Sequence, residues 1–212
     1  MLQLFPLFSV LGISSSFWYS ILPTAINFST HNSQLIYLPA IYSLGIGIGE
    51  VFMALLIAQL SRRIKGFSLQ PTMTIGAIFS VLALVLVQLS TPWDAPMKPT
   101  REEPIGFYHS YPFIFALGLL IGIGDCCLNS CRSVICALAM PDRRAQAFSI
   151  SKLYQALGSC ILFFASPIIP LPVYTIGISI HCLIATVFFF KVARNTVSME
   201  RKMTISEEEE NK

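Results

Sequence analysis

Residues 111–137 read YPFIFALGLLIGIGDCCLNSCRSVICA, an apolar run broken by two charges, Asp125 and Arg132. At 1.5 Å per residue a helix of this length exceeds the roughly 30 Å hydrocarbon core of a bilayer. In hydrocarbon only a helix or a closed barrel satisfies its own backbone groups, and continuous apolarity without alternation argues against a barrel strand. Working outward, five more such runs occur, at 2–26, 35–60, 71–89, 147–169 and 171–190. The sequence therefore predicts an all-α polytopic membrane domain of six transmembrane helices over 1–190, followed by a disordered cytosolic tail over 191–212. Pro167, Pro170 and Pro172 predict a tight turn between the last two spans. The first run has no basic leader and no small-residue cleavage site, so it reads as a retained helix and not as a signal peptide.

Composition agrees. Only 12% of the 212 residues are charged, against about 25% in soluble proteins, and no Asp, Glu, Lys or Arg occurs before Glu50. The net charge of +3 is too small to suggest a nucleic-acid partner. All six cysteines fall inside predicted spans, which argues against a disulfide-stapled ectodomain. Cys126, Cys127 and Cys131 lack metal-ligand spacing and read as packing residues, so neither a metal nor another cofactor is expected.

Loop charges set the orientation. Arg62, Arg63, Lys65, Arg143, Arg144, Lys191, Arg194, Arg201, Lys202 and Lys212 fall on one side of a six-span zigzag. Lys98 and Arg101 fall on the other, offset by Asp94, Glu102 and Glu103. The positive-inside rule then puts both termini in the cytosol. The sequon Asn27-Phe28-Ser29 abuts the membrane and is a poor glycosylation site.

Four ionisable residues lie inside spans, each costing roughly 2.5–3.5 kcal/mol at a helix centre. Glu50 and Asp125 are placed near the midplane, whereas Arg132 and Lys152 lie close enough to the cytosolic ends to snorkel. Asp125, Asn129 and Arg132 share one helix face, Lys152, Gln155 and Ser159 share another, and span one adds Ser14, Ser15, Ser16, Tyr19 and Ser20. Two readings stand side by side: a polar cavity whose carboxylates handle a proton, cation or substrate, and structural pairing such as Asp125 with Arg132. His181 reads as a packed neutral ring, with a proton relay as its alternative. Gly45 and Gly49 in span two and Gly118 and Gly122 in span four form GxxxG faces for close helix contact. They lie in apolar runs with no preceding strand, which excludes a soluble dinucleotide loop.

At GIGIGE (45–50), WDAPMKP (93–99), GLLIGIGDCCLN (118–129) and AFSISKLYQ (147–155) the chain resembles the unc-ninety-three-like branch of the major facilitator superfamily. The resemblance implies a twelve-helix fold of two six-helix halves, of which this chain is the C-terminal one. Gly122, Gly124 and Asp125 would correspond to the glycine-rich turn of helix ten. The loop SRRIKG (61–66) resembles the superfamily's basic loop without its Asp. The branch includes a regulatory subunit of a potassium channel and trafficking partners.

Three functions are weighed. A regulatory or accessory subunit of a channel or trafficking complex comes first and would use the GxxxG faces for contacts. A proton- or ion-coupled solute carrier, with this chain as a half or fragment, is the alternative. An intramembrane enzyme lacks any catalytic motif. The expected partners are the lipid bilayer and another six-helix half, a second copy, or a membrane channel. The acidic run Glu207–Glu210 after Ser206 suits an acid-directed kinase.

Overall fold

The computed structural model describes residues 4–29, 35–63, 69–140 and 143–210. Six helices are long and apolar enough to cross a membrane. The first span is composite: α1 (Phe5–Ser16), a π-helical turn (Phe17–Ile21) and α2 (Leu22–Phe28). Spans two to six are α3 (Leu38–Arg63), α4 (Leu69–Ser90), α5 (Tyr111–Ala139), α6 (Arg144–Ala165) and α7 (Leu171–Glu210). Among the described residues there is no strand, only an isolated bridge between Ser29 and Thr100. Pro112 opens α5, where a missing N–H costs nothing. The 167–170 segment forms the expected turn between α6 and α7. Helical backbone continues through Glu210, beyond the predicted end of the membrane domain, and Lys65, Asp142 and Lys212 lie outside the described residues.

The π turn has a local cause. Leu22 N–H bonds the Phe17 carbonyl, five residues back. In that register residue 23 would serve the Trp18 carbonyl, but it is proline and has no N–H. The Tyr42 hydroxyl on α3 donates to that carbonyl instead, at 2.8 Å within the core. The first span is also the most enclosed, 67% buried against 22% for α6, so it runs through the bundle while α6 turns one face outward. Phe8, Phe17, Trp18 and Leu22 lie at its core.

The most extensive crossings are α3 with α5, α4 with α5, α1 with α6, α4 with α7 and α1 with α7. Exchanging span one with four, two with five and three with six maps this set onto itself, as inverted three-helix repeats require. The α3–α5 crossing is glycine on glycine. A Cβ on Gly45 would stand 2.5 Å from the Phe115 carbonyl oxygen, and one on Gly118 2.5 Å from that of Tyr42. On Gly49 or Gly122 it would run into the carbonyls of Leu119 or Ile46. The GxxxG faces are therefore occupied by each other, not free for a partner helix. The equivalent α1–α6 crossing holds Gly12 against Gln155 and Gly158 against Ser9.

The 91–110 loop ties helix ends together. Thr100 N–H bonds Phe28 O at 3.0 Å, Gly106 N–H bonds Leu89 O at 2.8 Å, and Leu171 N–H bonds Trp93 O at 3.0 Å. Lys98 pairs with Asp94 at 2.8 Å. His109, near the end of this loop, is buried against Phe113, and burial holds its pKa down to about 4, so the ring is neutral at physiological pH. Ser29 of the sequon is buried at the Thr100 bridge. All six cysteines are free thiols.

Glycine substitution separates packing from composition. Gly49→Ala and Gly122→Ala should each destabilise the protein by about 1–3 kcal/mol. Gly47→Ala, whose Cβ would meet nothing within 4 Å, should cost nothing. Thermal melting of the three variants in mild detergent, followed by size exclusion, checks this. Equal losses in all three would remove the crossing as their cause.

Candidate functional site

Three elements bring the site together. The π turn holds Tyr19, Glu50 follows Gly49 on α3, and Asp125 follows Gly124 on α5. Close approach at Gly122, which lies against Ile46 and Glu50 backbone, sets the two carboxylate-bearing segments side by side. The Tyr19 hydroxyl donates to Glu50 Oε1 at 2.6 Å and also lies 3.4 Å from Asp125 Oδ2. Asn129, one turn on, donates its amide to Asp125 Oδ2 at 2.8 Å. Asp125 is 7% exposed and its Oδ1 has no hydrogen-bond partner.

One hydroxyl carries one proton, so it can serve only one of two carboxylates at a time. Two negative charges around a single hydroxyl in low dielectric repel strongly. A proton or a cation placed between them would relieve that repulsion.

A groove of about 660 Å³ opens beside this cluster. Glu50, Val51, Ala54 and Ile57 of α3 line it, with Asp125, Asn129, Ser133 and Val134 of α5. On the other flank of α5, Arg132 donates to Gln155 Oε1, and Lys152 Nζ donates to the same oxygen at 3.2 Å. Both cations also lie over the Phe148 ring, at 5.5 and 5.8 Å. Arg132 is 4% exposed, so it turns inward and does not snorkel, whereas Lys152 is exposed. A second groove of about 480 Å³ runs along α6 past Lys152, Gln155, Ser159 and Cys160.

The expected stripes are thus divided. Asp125 and Arg132 share a helix face but not an ion pair; among the described residues each is held by different neutral partners. Ser14 and Ser16 bond their own helix, to Val10 O at 2.6 Å and Gly12 O at 2.9 Å. His181 meets Ser9 Oγ at 3.0 Å in the α1–α7 crossing, outside the carboxylate cluster. No group of three or more His, Cys, Asp or Glu suited to a metal is present among the described residues. Sequence reasoning underrated Tyr19, Gln155 and Phe148. For Tyr19 a signal was present: a proline four residues later in an apolar helix marks an irregular turn, and such turns aim side chains.

Comparison with known proteins assigns the family. The sequence profile described as "Ion channel regulatory protein UNC-93" matches residues 1–190. The chain is 28% identical over 198 residues to the UNC93-like protein MFSD11 of Xenopus laevis, and 27% identical to that of Xenopus tropicalis. Each alignment covers 91% of this chain and 44% of the relative, so the chain spans less than half the length of the curated relatives it matches. No solved structure matches. With six membrane-length helices and a profile match over most of its length, the chain belongs to the UNC-93 family of multi-pass integral membrane proteins.

Proposed function

We propose that this chain is the six-helix unit of a proton- or cation-coupled membrane carrier. In this reading the Glu50–Tyr19–Asp125 cluster takes up and releases one positive charge as the helices move against a second six-helix unit. The observation that carries the reading is the Oδ1 oxygen of Asp125, buried and unpartnered beside a second carboxylate at the wall of an open groove. A carboxylate kept only for packing would have both oxygens satisfied, since an unmet charge inside a membrane protein is costly. Relatives more than twice as long supply the rationale for a second unit.

A regulatory subunit of an ion channel is the second reading, favoured by the family description. Because the GxxxG faces are used internally, its contact surface would be the exposed aliphatic side chains of α3 and α6, such as Leu44, Ile48, Leu157 and Ile161. The carboxylate cluster would then sense pH or ions for the partner. Both readings place the termini in the cytosol, because Arg62, Arg63, Arg143, Arg144, Lys191 and Arg194 gather at one set of helix ends.

Trp18 adjoins Tyr19 in the π turn and reports on the cluster. In a Trp93→Phe background in nanodiscs, its fluorescence should show a one-proton transition over about pH 4 to 9. Asp125→Asn and Glu50→Gln should each remove it; Lys152→Gln should retain it. A flat wild-type titration, or one unchanged in both carboxylate variants, would sink the coupling reading. A co-expressed channel whose current responds to the chain, and responds equally with both variants, would favour the regulatory one.

Orientation is checked separately. In a cysteine-free background, Arg63→Cys should react with impermeant maleimide only after the membrane is opened, and Lys98→Cys should react in intact cells. The reverse pattern would invert the topology.

A further inference from the structure

The α3–α5 groove has a chemistry more specific than charge uptake. Among the described residues, the charged groups that line it are the carboxylates Glu50 and Asp125. The nearest cation on α5, Arg132, is committed to Gln155 and Phe148 on the opposite flank. An anion entering the groove would meet two negative charges and no counter-charge. The remaining wall combines the aliphatic Val51, Ala54, Ile57 and Val134 with the neutral polar Asn129, Ser130 and Ser133.

Volume separates the possible cations. About 660 Å³ falls within the range of sites for small organic ligands. A bare metal cation wants several oxygen ligands close around it, and among the described residues no group of three or more His, Cys, Asp or Glu comes together to hold one. Ile57 and Val134 also line a smaller adjoining cavity of about 140 Å³ with Ser61, Leu69 and Thr72, so the groove continues toward the end of α3 that carries Arg62 and Arg63.

We infer that this groove binds an amphiphilic organic ammonium ion, its charge set against the Glu50–Asp125 carboxylate pair and its apolar body lying along Val51, Ala54, Ile57 and Val134. The inference rests on reading the carboxylate pair as a charge-accepting site and names the class of cation. The carboxylate pair supplies the recognition, meeting an ammonium with a charge-assisted bond, and Asp125 has one oxygen with no partner in the protein. An isosteric alcohol would leave both carboxylate charges unmatched.

Two cysteines provide a local test. Cys126 is half-buried and lines this groove, whereas Cys160 is exposed and lines the other. The full chain in nanodiscs is alkylated with N-ethylmaleimide at neutral pH, and both sites are timed by mass spectrometry. Saturating phenethylamine should slow Cys126 at least five-fold and leave Cys160 unchanged. Phenethyl alcohol and phenylpropionate, which control for partition into lipid and for shape, should not protect. Asp125→Asn should abolish protection. Ala54→Phe, which fills the groove and keeps both carboxylates in the chain, should do so too and covers a failure of the first variant to fold, judged by an unchanged Cys160 rate. No protection by the amine, equal protection by the alcohol, or protection that survives Asp125→Asn would overturn the inference. Protection failing while the Trp18 titration stands overturns the amine site alone. Protection standing without that titration assigns the carboxylates to a substrate cation and removes the coupling proton.

Discussion

Everything described at the centre of this bundle depends on the contact of two backbones, where Gly45 and Gly49 of α3 lie against Gly118 and Gly122 of α5. In a bilayer, apolar side chains gain little from meeting one another, because lipid is an equally good solvent for them. Association must come from dispersion at short range, and short range requires residues without side chains. The same contact brings Glu50 beside Asp125. The glycines thus set the spacing of the carboxylates as well as the stability of the crossing.

The first span supplies what two straight helices could not. A regular helix passing the α3–α5 pair would present Tyr19 at an angle fixed by 3.6 residues per turn. The π turn widens that step, and Pro23 leaves the Trp18 carbonyl needing an outside donor. Tyr42 provides it from within the same α3 face that packs on α5. A backbone irregularity tolerable only where a neighbouring helix repairs it is therefore also the element that delivers the Tyr19 hydroxyl to both carboxylates.

The two flanks of α5 have opposite character. Acidic groups and an unpartnered oxygen face α3, while Arg132 and Lys152 share Gln155 and Phe148 on the α6 side. Separation of this kind keeps unlike charges from cancelling by direct pairing, each being held by neutral partners instead. The symmetric set of crossings agrees with a unit built from two inverted three-helix repeats, and the length of the UNC93-like relatives is compatible with two such units.

The sequence by itself determined the number of membrane-length helices, six, because hydrocarbon demands long uninterrupted apolar helices and charge is expensive there. Glu50, Asp125 and the four glycines were equally legible, since each violates the surrounding composition. What the sequence could not decide was partnership. Helical periodicity placed Asp125 and Arg132 on one face, and a pairing between them was a fair reading of that face. Only the tertiary structure decided that one turns toward α3 and the other toward α6. It likewise decided that the GxxxG faces meet each other, and that Ser14 and Ser16 on the first span bond their own helix while Tyr19 reaches the site. Periodicity fixes direction around one axis, but a contact needs two axes, and their crossing is set by which backbones can approach.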